Sequence, residues 1–435
     1  MSCVPPMIQS LYKRLKFMNR NLLVLTIREI IGMFCRRMVI SYASLYILAV
    51  GGDASQIGLI NSLRPLAGLL MFPISGYITD SSGRVRIIAL AGYLSACSML
   101  LYMFAPSWHW IALAALFEGF MVFQFPPTSA IIVDSLKPRY RGIGIATMNT
   151  LANAFAIISP YVAGIILDYY GVNSGMRLLY FSLLMSHTIG ATLVLKYLRE
   201  TVSHKKAETK LNVLTVLKES YTGIPELLKN LPRSIKALGL LVGMGFIANS
   251  IAGSFWVVYV TEEIGLSTID WGLILLFESV FRTILTIPFG AIADKYGKTK
   301  TLFAAMITSL ISLPTLILAK TFTHVLLIRL GAGLAVALFI PSSITLMADY
   351  VPRDLRGRVM AAIGRGSLLI GATGGGTGGP GMGYLFTIPV MIASVIGGFL
   401  YSINPINPWL CVLGATVVQS ICVIFFIRDP VKIEK

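Results

Sequence analysis

Charge is scarce in this sequence. Only 13% of its 435 residues are Asp, Glu, Lys or Arg, against about 25% in an ordinary soluble domain. A soluble chain of this length needs roughly three domains, each with a charged surface that the composition does not supply. Disorder is excluded on the same ground, because a chain that is 56% hydrophobic does not stay solvated as a coil. Cysteine is sparse too. Cys3, Cys35, Cys97, Cys411 and Cys422 lie far apart and form no C-x-x-C pair, so neither a disulfide framework nor a zinc site is expected. The four histidines, His109, His187, His204 and His324, are scattered and point to no metal cluster or nucleophile triad. What is abundant is apolar surface and glycine: the mean hydropathy is +0.78 and there are 40 Gly. These are the proportions of an all-α integral membrane protein with closely packed helices.

A membrane-spanning helix needs about 20 apolar residues. Twelve segments qualify, near 22–49, 57–79, 87–106, 108–133, 143–167, 177–197, 237–260, 270–293, 300–320, 323–349, 383–402 and 408–427. Six precede and six follow a polar stretch. The expected organisation is a first six-helix bundle over 1–197, a linker over 198–236 with an amphipathic piece on the membrane surface, and a second bundle over 237–435. The first apolar segment is kept as a mature helix rather than a cleaved signal.

The net charge of +17 invites a nucleic-acid reading, and the placement of the charges removes it. With the N-terminus inside, roughly 28 of the 36 Lys and Arg fall on the cytoplasmic side and only Arg177 and Lys320 on the outside. That asymmetry predicts a multi-pass protein of the plasma membrane with both termini in the cytoplasm.

Two loops repeat. GYITDSSGRVR, from Gly76 to Arg86, returns as GAIADKYGKTK, from Gly290 to Lys300, at an offset of about 214 residues. DSLKPRYRG, from Asp134 to Gly142, returns as DYVPRDLRG, from Asp349 to Gly357, at about 215. The chain therefore reads as a duplicated six-helix unit in parallel orientation.

With these loops the sequence resembles the major facilitator superfamily, whose loop after helix 2 reads G-x-x-x-D-(R/K)-x-G-(R/K)-x-(R/K). Gly76, Asp80, Gly83, Arg84 and Arg86 match, with Ser81 where a base is expected. Gly290, Asp294, Lys295, Gly297, Lys298 and Lys300 match the second copy throughout. The resemblance covers nearly the whole chain. It implies two pseudo-symmetric six-helix bundles, transport of a small solute by alternating access, no cofactor, and a motif that latches the cytoplasmic side closed in the outward-facing state. The alternative for these loops is a topogenic basic segment only. Helix 5 carries Ser159-Pro160-Tyr161-Val162-Ala163-Gly164, a partial match to the exporters' G-P-x-x-G-G. It reads either as that motif or as a kinked, tightly packed helix.

Charged residues within the spans each cost on the order of 2.5–3.5 kcal/mol unless paired or hydrated. They are Arg28, Glu29, Arg36 and Arg37 in helix 1, Arg64 in helix 2, Glu118 in helix 4, Glu278 and Arg282 in helix 8, and Arg329 in helix 10. Glu29, Arg36, Arg37, Arg64, Glu118, Glu278, Arg282 and Arg329 are the candidate lining of a substrate or proton cavity; the alternative is a buried structural network. Glu278 and Arg282 are four apart and can pair. Glu118, on a helix that faces the cavity in the resembled family, is the expected proton-coupling carboxylate, with Arg36 and Arg37 as its expected partners. Three acids against six bases disfavour a site for cationic drugs and tilt the substrate toward anionic or amphiphilic compounds.

A Gly-rich insert near 371–389 reads either as a cytoplasmic loop or as a broken helix lining the cavity. Gly374, Gly376 and Gly379 satisfy G-x-G-x-x-G without a preceding strand, and Ile292 stands where a P-loop before Gly297-Lys298-Thr299 needs its first Gly. Neither dinucleotide binding nor ATP-driven transport is expected, and no catalytic constellation marks an enzyme. The resulting expectation is a monomeric, proton-coupled secondary transporter in the lipid bilayer, with export ahead of uptake. A non-transporting sensor or structural protein on the same scaffold is the alternative.

Overall fold

The computed structural model describes residues 18–81, 83–201, 233–312, 314–351 and 384–429, with side chains except at 70, 72–81, 314 and 384. The Gly-rich stretch up to 383 and most of the linker lie outside these residues.

Among the described residues, the helices form twelve crossings. In the first half, α1 comprises Arg20–Ile40 and Ala43–Ala49; α2 is Ala54–Ser81; α3 is Arg84–Met103; α4 comprises Trp108–Phe120 and Phe125–Ser135; α5 comprises Arg141–Ala156 and Ser159–Tyr170; and α6 is Val172–Tyr197. In the second, α7 opens with Arg233–Ala252 and continues in irregular turns to Glu263; α8 is Thr268–Tyr296; α9 is Lys298–Ser312; α10 is Phe322–Tyr350; α11 is Thr387–Ile403; and α12 is Asn407–Phe426. Among the described residues, nine helices are long and apolar enough to cross a membrane by themselves. Arg233–Lys236, inside the stretch assigned to the linker from composition, are already helical.

The interruptions have local causes. Pro126 and Pro127 lack N–H groups, so the carbonyls one turn earlier lose their helical partners, and α4 tightens into a 3-10 turn at Met121–Gln124. The second piece of α5 begins with Pro160 in its first turn, where proline is tolerated. The break in α1 frees the Ser41 carbonyl, which accepts a hydrogen bond from Trp271 Nε1 of the other bundle at 3.4 Å. In lipid such a carbonyl needs a protein partner.

Within the first bundle α3 packs on α6, α2 on α4, and α1 on α5 and α6; within the second α10 packs on α8 and α9, and α7 on α11 and α12. The bundles meet chiefly through α2 with α11 and the outer piece of α5 with α8. Both seams rest on glycine. A Cβ on Gly58 would fall 3.0 Å from Gly398 Cα, and one on Gly272 would fall 2.7 Å from Pro160 O. Gly58 and Gly272 are about 214 residues apart, so the two seams are copies related by the duplication.

These seams lie at one face of the molecule, opposite the basic face that carries Arg20, Arg84, Arg141 and Lys298. At the seam of α5 with α8, the Tyr42 hydroxyl lies 2.9 Å from both Pro160 O and Thr268 O, tying α1, α5 and α8 together. Nearby, Asn61 Nδ2 donates to Ser254 Oγ at 2.9 Å, between α2 and α7. A cavity of about 530 Å³ between Leu45, Leu167, Thr261 and Thr268 lies on this side.

Candidate functional site

In the first bundle, Glu118 of α4 accepts from Arg64 Nη2 of α2 at 2.6 Å and from the Tyr102 hydroxyl of α3 at 3.1 Å. Tyr102 is in turn stacked on Tyr180 of α6, with ring centroids 4.5 Å apart. The Arg64 and Glu118 side chains stay 26% and 29% exposed, so the pair is not sealed in protein. The sequence-based expectation placed Glu118 with Arg36 or Arg37; its partner is Arg64. α2 packs directly on α4, so the side chains of these two helices converge.

In the second bundle the arrangement recurs with the charges exchanged. Glu278 of α8 stands about 214 residues after Arg64 and bonds Arg329 Nη2 of α10. Here the side chains are only 6% and 2% exposed. Arg329 is capped by the rings of Trp256 and Trp271, whose centroids lie 4.7 and 5.6 Å from its Cζ. Its Nε and Nη1 are buried without a hydrogen-bond partner among the described residues. Arg282, the neighbour expected for Glu278, is the weaker partner, 3.7 Å from the other carboxylate oxygen. Glu278 and Arg329 are thus sealed in protein rather than open to a cavity. Gly333 makes room for them: a Cβ there would meet Glu278 Cγ at 3.1 Å.

Among the described residues, the arginines of α1 form no ion pair with an acid. Arg37 donates to Asn153 Oδ1 of α5 at 3.1 Å. Asn153 is held for this by its own amide, which donates to Asn149 O at 2.8 Å. Arg36 and Glu29, both partly buried, make no hydrogen bond among the described residues. Arg28 reaches Gln124 Oε1 of α4 at 2.5 Å.

At the basic face the two loop copies behave alike. Arg84 bridges Asp134 at 2.5 Å, and Lys298 bridges Asp349. Glu200 accepts from Val85 N at 3.1 Å at the start of α3, and Asp429 accepts from Lys298 N and Thr299 N at 3.1 Å at the start of α9. These carboxylates satisfy helix N-termini that would otherwise be orphaned. Gly83 precedes α3 and Arg86 is exposed. Gly297 has φ +103°, a conformation that favours glycine. Gly290 is not a close-approach point here, since a Cβ on it would sit 3.8 Å from Pro341 Cβ, an ordinary contact. Asp294 and Lys295 are exposed; Asp294 has no partner among the described residues, and Lys295 lies over the Tyr296 ring at 5.3 Å. Gly76 and Asp80 fall in the last turns of α2, outside the described side chains.

The sequence profile of the Major Facilitator Superfamily matches residues 29–245 and 238–386. The chain belongs to this superfamily. An uncharacterised MFS-type transporter of Methanocaldococcus jannaschii is 23% identical over 422 residues, covering 94% of this chain and 95% of its own. Multidrug resistance protein MdtG of Salmonella typhi is 24% identical over 335 residues, 74% of this chain and 79% of its own. A bacterial homologue of the iron transporter ferroportin, solved in an inward-facing state, superposes with a TM-score of 0.70 at 14% identity, covering 94% of this chain and 98% of that one. The duplicated six-helix plan is therefore that of a multi-pass membrane transporter family.

Several residues of this superfamily member escaped the sequence reading. Asp134 and Asp349 were visible as the first residues of the repeated second loop, and their shared offset was the signal for a shared role. Tyr102, Tyr180 and Asn153 had no signal, because a single tyrosine or asparagine in an apolar helix is unremarkable until its neighbours are known.

Proposed function

We propose that the protein is a proton-coupled secondary transporter that moves a small solute by alternating access, with the partly exposed Arg64–Glu118–Tyr102 cluster as its proton site. The observation that carries this reading is the contrast between the two charge-exchanged pairs. One is about a quarter exposed and held by a phenol that can follow a change in protonation. The other is sealed under two indoles. A proton takes the place of the Arg64 guanidinium on the Glu118 carboxylate when a movement of α2 relative to α4 withdraws Arg64. Return of Arg64 expels the proton. Coupling needs nothing else, provided the two positions of Arg64 belong to the two access states.

The bundles are closed at the face opposite the basic one. With the basic face in the cytoplasm, as the distribution of Lys and Arg favours, this is an inward-facing conformation with both termini inside and the 198–236 linker cytoplasmic. The exposed Asp294, without a partner among the described residues, then belongs to an open latch. Export is favoured by the likeness to a protein named for multidrug resistance. The protein acts as a monomer in the plasma membrane.

The test is accumulation in proteoliposomes of a solute found by screening a labelled panel under an imposed pH gradient. Glu118→Gln keeps the shape and removes the titration. It is expected to retain solute exchange and to lose gradient-driven accumulation. Accumulation at the wild-type level in this variant would remove Glu118 from coupling.

A further inference from the structure

We propose that Tyr46 of α1 transmits the state of the face opposite the basic one to Glu118, so that the carboxylate takes its proton when that face is open. The inference rests on the proton-site reading above and deepens it, by naming what moves the site and the side from which the proton enters.

The argument begins at the break in α1. The helix is interrupted at Ser41 and Tyr42, so its outer piece, the seven residues Ala43–Ala49, can pivot without bending the rest. One end of this piece is fastened to the other bundle. The Ser41 carbonyl accepts from Trp271 Nε1 at 3.4 Å, and the buried Tyr42 hydroxyl lies 2.9 Å from Thr268 O. Both contacts to α8 are lost when the bundles part at this face. One turn further on, the piece is fastened to its own bundle. The Tyr46 hydroxyl donates to Tyr102 O at 2.8 Å, in the last turn of α3, where carbonyls lack helical partners. The Tyr46 ring lies 5.5 Å from that of Tyr180, which is stacked on Tyr102 at 4.5 Å. All three tyrosines are more than nine-tenths buried, and rings packed this closely do not move independently. The Tyr102 side chain ends on the charges. Its hydroxyl donates to Glu118 at 3.1 Å and accepts from Arg64 Nη2 at 3.3 Å.

The groups that meet Glu118 are Arg64 of α2 and Tyr102 of α3, with Tyr180 of α6 and Tyr46 of α1 behind Tyr102. Two further charges lie on the neighbouring helices, each on neutral acceptors: Arg177 of α6 donates to Ala105 O and Asn173 Oδ1 at 3.1 Å, and Arg28 of α1 meets α4 further along, at Gln124. With the face closed, Tyr102 and Arg64 both bond the ionised carboxylate and disfavour its protonation. When the face opens, neither Trp271 nor Thr268 restrains the outer piece of α1. Its pivot draws the Tyr102 phenol off Glu118, and the carboxylate takes a proton from the water admitted there. The phenol keeps its own proton throughout. By linkage the reverse holds, so a proton on Glu118 loosens Tyr102 and favours the open face. Tyr46 touches neither solute nor proton and acts as a positioning residue.

The experiment uses the full chain in detergent, with its five native cysteines replaced by serine and a cysteine introduced at Thr261, in the cavity on this face. Labelling by a membrane-impermeant maleimide is followed from mildly alkaline to mildly acid buffer. Each rate is divided by that of the same cysteine in the unfolded chain, which removes the titration of the thiol itself. Accessibility is expected to rise in acid by about fivefold or more, the lower end of an ordinary coupling between sites. Glu118→Gln, which imitates the protonated form, should be accessible at every pH. Tyr46→Phe keeps the ring and loses the bond to Tyr102 O, and its accessibility should change by less than about twofold over the same range. Tyr102→Phe should behave alike, and carries the test if Tyr46→Phe does not fold. Tyr93→Phe removes a hydroxyl that lies 2.9 Å from Thr192 Oγ1 elsewhere between α3 and α6, and should keep the full response. A merely structural role for Tyr46 would lower the unfolding temperature and leave the pH response intact, and that result overturns the inference. So does an equal loss of response in Tyr93→Phe. If the cysteine-substituted protein shows no pH response, or Glu118→Gln keeps the same response, the proton-site reading falls and takes the inference with it.

Discussion

Glu118 and Glu278 are both intramembrane carboxylates bridged to an arginine, and their surroundings give them different work. Removing the charge of Glu278 strands Arg329, which has no second acid and whose Nε and Nη1 already lack partners among the described residues. Breaking a sealed pair of this kind from one side costs about 3–5 kcal/mol. Glu278→Gln is therefore expected to lower the thermal unfolding temperature sharply. Glu118→Gln should lower it much less, because the side chain is 29% exposed and Arg64 keeps the Tyr102 hydroxyl as a second partner. Equal losses in the two variants, measured side by side by tryptophan fluorescence, would contradict this division of labour.

At the scale of elements, the helices that form the seams between bundles are prepared at their starts and thinned at their contacts. The helix α2 opens with Asp53 accepting from Ser55 N at 2.8 Å and Gln56 N at 3.0 Å, while Gln56 accepts from Asp53 N at 2.5 Å. The helix α8 opens with the equivalent capping box of Ser267 and Asp270. Each box follows a glycine with positive φ, Gly51 at +84° and Gly265 at +80°. The Ser55 hydroxyl, followed by backbone amides and Gln56, holds the Asp53 carboxyl below its ordinary value. A depressed carboxyl stabilises the fold above its unfolded value and loses that contribution as pH falls through the folded one. The stability difference between the unmodified protein and Asp53→Ala should thus be present at neutral pH and vanish in acid below the ordinary carboxylate range. A difference that persists there would assign the effect to something other than the charge. At the contacts, Gly272→Val places a branched side chain against the Pro160 carbonyl and the Tyr161 backbone. It should force α5 and α8 apart at the face opposite the basic one. A cysteine introduced at Thr261, in the cavity on that face, should then react faster with a membrane-impermeant maleimide. Unchanged labelling would show that the seam tolerates the bulk.

At the scale of the whole molecule, the two basic-face networks, Arg84 with Asp134 and Lys298 with Asp349, each tie one bundle to itself and leave the other bundle free to move. Asp294 stands outside both. If it engages only when that face closes, Asp294→Asn removes a contact of one state alone and shifts the population away from the state open on the opposite face. Accessibility of the same Thr261 cysteine should fall in this variant. No change would leave the Asp294 loop with a topogenic role only.

The twelve crossings and the duplication were legible in the sequence for a physical reason. A segment in lipid must satisfy its own backbone hydrogen bonds, so its apolar length is written locally. A duplicated unit also keeps its glycines, caps and loop acids at one offset, as Gly51 and Gly265, Gly58 and Gly272, and Asp134 and Asp349 show. The identities of the intramembrane charges were legible as well, because each is an exception in an apolar run. Their partners were not. Arg36 and Arg37 were the expected partners of Glu118, and the packing of α2 on α4 gave it Arg64 instead. Glu278 and Arg282 shared a helix face, and only the approach of α10 gave Glu278 to Arg329 beneath Trp256 and Trp271. Helix composition says which charges enter the membrane. Which of them are neutralised depends on the rotation and crossing of whole helices, and that is decided by tertiary packing.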